Sequence, residues 1–183
     1  MIYHSKENTI HETAYVSPNA ILGKGNYIGA FTVIGPNVKI GNNNHIGSHC
    51  IIGDIPESRE FFKEHSGKVH IEDNCRIYKQ VTIDGATENV TVIMSNCEFL
   101  KNSHVGHDAV IYQNVSLRCN ASVGGFATLH SGVMIGMNAS VHQRVEIPKR
   151  VIIGMNSCVT KKQFLDENSI YGGVPVRKLK KRL

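Results

Sequence analysis

An aliphatic residue returns at every sixth position along most of this chain, and few folds can use such a period. The first run is Ile10, Val16, Leu22, Ile28, Ile34, Ile40, Ile46 and Ile52. A second is Ile71, Ile77 and Ile83; a third goes from Ile93 through Phe99, Val105, Ile111, Leu117, Val123, Leu129, Ile135, Val141, Ile147 and Ile153 to Val159. Helical periodicity is absent throughout. Two further positions share the beat. The fourth residue after the aliphatic is small, as at Ala109, Ala121, Ala127, Ala139 and Ser157, which suits a second, tighter inward slot. The third is often asparagine, a residue that tolerates left-handed backbone, so the chain is expected to turn a corner there.

Short strands with a corner every six residues close most simply as a triangular coil of three hexads, about 18 residues per turn, in a parallel β-solenoid. Asn102, Asn120, Asn138 and Asn156 are 18 apart. They are expected to stack as an amide ladder along one corner. Two stretches leave the beat, Asp54 to Lys68 and, more briefly, Glu88 to Val92, and both are expected to loop out.

Over residues 10–160 the pattern resembles the hexapeptide-repeat left-handed β-helix. The left hand is implied by that resemblance, since crossover connections are ordinarily right-handed. The expected fold class is therefore all-β: a β-helix domain at 1–160 with a loop insertion at 54–68, and a basic C-terminal extension at 161–183. That extension is expected to cover the open end of the solenoid, whose strand edges are otherwise exposed, with residues 176–183 as a short basic helix.

At 183 residues the chain fits one domain. Its formal charge is +5, and five cations, Arg177, Lys178, Lys180, Lys181 and Arg182, sit at the end; without them the chain is balanced. A basic tail fits one phosphate-bearing or acidic partner, or a plain solvated terminus, and not a surface that coats nucleic acid. The five cysteines form no CxxC pair and no zinc-like spacing. Cys50, Cys75 and Cys97 occupy the small slot and read as buried thiols, which implies a reducing compartment. No apolar run approaches the roughly 18 residues of a membrane span and no signal-peptide pattern opens the chain. The expectation is a cytoplasmic protein with no integral membrane segment.

The chemistry is placed in KNSHVGHD, Lys101 to Asp108, and in particular at His107. An imidazole can take a proton near neutral pH. Eighteen residues on, the column holds Gly125 beside Gly124. There a thioester could lie against bare backbone, with an N–H aimed at its carbonyl oxygen. Asp108 could orient the imidazole; it also fits the corner slot elsewhere held by asparagine, which is the reading the spacing favours.

NSHVGHDAV (Asn102 to Val110), RIYKQVTIDGAT (Arg76 to Thr87) and NASVHQ (Asn138 to Gln143) resemble segments of the UDP-N-acetylglucosamine acyltransferases of lipid A synthesis. The resemblance implies a homotrimer in which His107 is the general base and Gly125 supplies the oxyanion N–H. It also puts His104, Asp108, His142 and Gln143 near the acceptor, a nucleotide-linked sugar. That family carries a long C-terminal helical domain for which this sequence has no counterpart. It also has glycines in its acyl groove where this chain has Met137 and Met155, which stack with Cys119. A methionine column would block a long chain and leave room for a short acyl group; the other reading is that both methionines face solvent. GGVPVRK, Gly172 to Lys178, resembles the close of short-chain acetyltransferases of the same superfamily. Arg177 and Lys178 would then meet the phosphates of coenzyme A or the acidic helix of an acyl carrier protein. The donor is thus acyl-CoA or acyl carrier protein, with no bound cofactor.

Three alternatives stand beside this. One is transfer of a 3-hydroxyacyl chain from carrier protein, as in the lipid A enzyme. Another is a zinc hydratase of the γ carbonic anhydrase type, which would need histidines converging on a metal. The last is a silent scaffold.

Overall fold

The structure, a computed structural model, describes residues 2–4, 7–57 and 67–182. Residues 58–66, most of the expected insertion, lie outside the described residues. The described chain forms strands of two to five residues gathered into three sheets of eleven, eight and seven strands, the faces of a triangular prism. One coil illustrates the rest. Glu98–Phe99 lies on the first face, His104–Val105 on the second and Val110–Ile111 on the third, before Ser116–Leu117 returns to the first. Glu98 pairs in parallel with Ser116, Ser116 with Met134 and Met134 with Ile152, which is the 18-residue step. This is the hexapeptide-repeat left-handed β-helix.

The beat explains the core directly. Each strand directs its aliphatic inward, so Ile28, Ile46, Ile77, Phe99, Leu117 and Ile135 stack fully buried along the inside of the first face. Each such side chain contributes roughly 1.5–3 kcal/mol of burial. The small slot is equally closed: Ala109, Ala121, Ala127 and Ala139, with Cys50, Cys75 and Cys97 in equivalent places, are buried. The slot also holds an internal asparagine ladder that the periodicity did not announce. Asn26 and Asn44 are each 1% exposed. The Asn26 N–H donates to Asn8 Oδ1, the Asn44 N–H to Asn26 Oδ1, and the Cys75 N–H to Asn44 Oδ1.

Corners form where expected. Asn102, Asn120, Asn138 and Asn156 have φ of 60°, 58°, 55° and 52°. Each Nδ2 donates to the Oδ1 of the next coil, at 2.9, 2.9 and 3.2 Å. Between corners the coils approach closely: a Cβ on Gly136 would stand 2.6 Å from the backbone of Gly154 and Met155.

The C-terminal extension does cover the end, but not as a helix. Ser169–Gly172 adds to the first face beside Ile152–Ile153, and Arg177–Lys181 folds back as an antiparallel strand on it. The reason is that the last coil offers a row of unpaired backbone groups, which a strand satisfies and a helix does not. Tyr171 and Val176 are buried against the end of the core. Arg182 Nη1 donates to the carbonyls of Gly132 (2.9 Å) and Arg150 (3.2 Å), so the tail is tied to the solenoid.

Candidate active site

His107 and Asp108 lie on the corner between the second and third faces, just after the strand His104–Val105. Asp108 is that corner's left-handed residue, with φ 58°. It is also the partner of His107, with Oδ2 at 3.0 Å from Nδ1. The two readings of Asp108 are thus both realised by one residue. The left-handed backbone turns the side chain inward, 6% exposed. There it meets the excursion at Glu88–Val92: the N–H and hydroxyl of Thr87 donate to Oδ2 (2.8 and 2.6 Å), and the N–H groups of Glu88 and Asn89 to Oδ1 (3.2 and 2.7 Å). Burial pushes this carboxyl up, but the Thr87 hydroxyl, the Asn89 and Thr87 amides and His107 together outweigh it and hold it at about 2. An ionised Asp108 can only accept, so the His107 Nδ1 carries the proton and Nε2 keeps its lone pair.

That lone pair sits over the next coil. A Cβ on Gly125 would stand 2.7 Å from His107 Nε2 and 2.8 Å from Cε1. The missing side chain of Gly125 is therefore the space the imidazole fills. Phe126 meets the ring edge-on at 5.1 Å, and the Arg144 guanidinium lies 3.9 Å from the Phe126 ring centroid. Among the described residues the Gly125 N–H has no backbone acceptor. The same holds for the amides of His107 and Gln143 at equivalent corner positions. What distinguishes Gly125 is its contact with the histidine.

His104 is half-buried on the second face, its Nδ1 2.8 Å from the Thr82 hydroxyl. Its Nε2 stands 3.9 Å from Oδ2 of Asp84, whose side chain is 11% exposed. Burial pushes the Asp84 carboxyl up, with His104 opposing and Glu57 adding to the rise. Asp84 was not singled out by the sequence, although it lies within RIYKQVTIDGAT. The excursion at Glu88–Val92 lengthens the step here: Thr82 pairs with His104, 22 residues on. Counting by 18 leads from Asp84 to Asn102 and misses the histidines.

His142 and Gln143 are exposed on the coil above Gly125, the His142 Nδ1–H donating to the Gln143 carbonyl at 2.9 Å. Met137 and Met155 are 43% and 62% exposed. They sit on the corner between the first and second faces, beside the asparagine ladder. The register pairing Ile153 with Tyr171 sets Gly173 above Met155, so Arg177, on the exposed return strand, follows at the same end. Lys178 pairs with Asp166 at 2.8 Å. Within the chain, His104, His107, Asp108, Gly125, His142 and Gln143 are together, while Met137, Met155, Arg177 and Lys178 are separated from them by the width of the second face. Among the described residues no group of three or more His, Cys, Asp or Glu is placed to hold a metal ion. No helix of the described residues is long and apolar enough to cross a membrane.

Repeat and architecture give this chain the fold of a hexapeptide-repeat β-helix, and the family model for the bacterial transferase hexapeptide (six repeats) matches its residues 19–54. Among solved structures it is similar to UDP-N-acetylglucosamine acyltransferases. The one from Bacteroides fragilis is 26% identical, with 93% of this chain and 73% of that chain covered and a TM-score of 0.78. That from Campylobacter jejuni is 25% identical over the same shares, with a TM-score of 0.76. The Moraxella catarrhalis O-acyltransferase is 26% identical, again over 93% and 73%, with a TM-score of 0.67. A search of curated protein sequences finds no match.

Proposed function

We propose that the chain is an acyltransferase moving a short acyl group from a pantetheine thioester, acetyl-CoA or a short acyl carrier protein, to a hydroxyl or amine of a nucleotide-linked sugar, in surface polysaccharide or lipopolysaccharide synthesis. One observation carries the reading: the His107 Nε2 lone pair, fixed by the Nδ1–H bond to Asp108, is aimed over the bare backbone of Gly125. The solved structures of similar fold are themselves acyltransferases.

In this reading Nε2 takes the proton of the acceptor O–H or N–H as that atom attacks the thioester carbonyl carbon. The carbonyl oxygen gains the charge and is met by the Gly125 N–H. Collapse breaks the C–S bond, and the proton held at Nε2 leaves with the thiolate as free thiol. Asp108 stays ionised throughout and stabilises the imidazolium that forms. His104, His142 and Gln143 border the acceptor. Met137 and Met155, with Arg177 and Lys178, take the donor, the methionines limiting acyl length and the cations meeting phosphate. Because these two sets lie on different corners, the complete site forms between neighbouring copies of a homotrimer, the corner of one against the adjoining face of the next.

The test is mass spectrometry of products after incubation with UDP- and dTDP-linked sugars and amino sugars, each offered acetyl-CoA or 3-hydroxyacyl carrier protein, with wild type and His107→Ala. An acetylated product that vanishes in the variant is expected. A product equally abundant in the variant overturns the role of His107, and a long hydroxyacyl product overturns the short-acyl reading.

A further inference from the structure

The site contains two carboxylates with opposite hydrogen-bonding states. Asp108 is saturated: it takes four bonds from the Thr87–Asn89 segment and one from His107. Asp84 is almost as enclosed, yet among the described residues its contacts are the Glu57 backbone N–H and an approach of 3.9 Å from His104 Nε2, too long for a hydrogen bond. A carboxylate has about four acceptor positions, and the described residues fill few of those on Asp84. The register pairing Thr82 with His104 continues to set Gly106, a residue with no side chain, above Asp84. His104 and His107 both lie near enough to oppose the rise that burial gives its carboxyl. The His104 Nδ1 is already engaged by the Thr82 hydroxyl.

We propose that the acceptor is an amine, the amino group of a nucleotide-linked amino sugar, held as its ammonium by the Asp84 carboxylate. This rests on the acyltransferase reading above and decides between the two acceptor atoms that reading allows. An ammonium brings a positive charge and three N–H donors to a buried carboxylate with few partners among the described residues. A sugar hydroxyl brings one donor and no charge. Burial and the neighbouring Glu57 both disfavour the charged form of Asp84, and a bound cation relieves both.

The step balances as follows. The ammonium bound at Asp84 releases one proton to solvent, and the neutral nitrogen attacks the thioester carbon. The C–N bond forms while His107 Nε2 takes a second N–H proton. The C–S bond breaks and the thiol leaves with that proton. The net change is one amide and one thiol formed and one proton released.

The experiment offers acetyl-CoA with UDP- and dTDP-linked sugars bearing an amine at C2, C3 or C4, each against its hydroxyl counterpart, to wild type and Asp84→Asn. Product is followed by mass spectrometry and thiol release. Binding of the same pairs to His107→Ala is measured by calorimetry without donor. The expected result is at least a 100-fold preference of kcat/KM for one amino sugar over its hydroxyl partner. In Asp84→Asn that preference falls below 10-fold, chiefly through KM. Acetylation of hydroxyl sugars at equal or higher rate overturns the amine acceptor while leaving acyl transfer in place. If no sugar is acetylated, the acyl-transfer reading fails and binding decides this one. An amino sugar held at least 10-fold tighter than its hydroxyl partner, with the difference lost on adding Asp84→Asn, upholds the Asp84 site. Equal or absent binding overturns it.

Discussion

The imidazole of His107 occupies the place where a side chain on Gly125 would begin, with Nε2 2.7 Å from the position of the missing Cβ. Gly125 lies outside the left-handed corner residues, so its backbone accepts any residue. Gly125→Ala therefore tests the bare surface on which both the ring and the thioester depend. Even one methyl displaces the imidazole from the line between acceptor and thioester. We expect thiol-release kcat to fall about 100-fold or more, while the urea midpoint corresponds to a stability change of about 1 kcal/mol or less. A fully active variant would mean that the bare surface at Gly125 is not used.

Asp108 links stability to pH. Its carboxyl is held at about 2 in the folded chain, against about 3.9 in an unfolded one. Its contribution is complete above the unfolded value and is lost as pH falls from about 4 towards 2, an effect of about 2–3 kcal/mol. Asp108→Asn should be less stable at pH 7 by a comparable amount and should lose that part of the acid dependence. It should also lose activity, because the imidazole tautomer is no longer fixed. Urea unfolding of both proteins at a series of pH values checks the first point. Parallel curves would show that the Thr87–Asn89 bonds do not depend on the charge.

The corner ladder separates backbone from side-chain effects. Asn120 has φ 58° and bonds to Asn102 below and Asn138 above. Asn120→Gly keeps the backbone and loses the two bonds, which should cost about 1 kcal/mol at this exposed site. Asn120→Ala adds left-handed strain, about 1–2 kcal/mol more. Thermal or urea denaturation of the pair should rank them in that order; equal values would mean the corner relaxes.

Met137 and Met155 are exposed on the corner between the first and second faces, a face away from the histidine corner. If they bound the acyl group between copies, Met137→Gly with Met155→Gly should lengthen the accepted donor. In competition assays read by mass spectrometry we expect at least a 10-fold shift in relative kcat/KM from acetyl towards long acyl chains. An unchanged profile would mean that both methionines face solvent in the assembly as well.

Most of the fold was legible because the period of six carries its own geometry: Ile111 and Leu129 are inward for the same reason as every other member of the run, and Asn138 turns a corner as Asn120 does. The His107–Gly125 column was legible because both lie in the unbroken third run, where counting by 18 is valid. Asp84 was hidden because four extra residues at Glu88–Val92 shift the count, and an offset of 22 cannot be recognised before the pairing is seen. The tail illustrates a different failure. Arg177–Lys181 has the composition of a basic helix, yet the unpaired edge beside Ser169–Gly172 makes it a strand.

The sequence alone determined the solenoid, its three-hexad coil, the corner ladder and the histidine column, because each follows from a local rule repeated at fixed spacing. Only the tertiary structure decided what surrounds that column. Asp108 serves at once as corner, anchor of Thr87–Asn89 and partner of His107; Asp84 stands 3.9 Å from His104; and the methionines sit a face away. These relationships depend on how insertions shift one coil against the next and on side chains meeting across coils. A periodicity read along the chain contains neither.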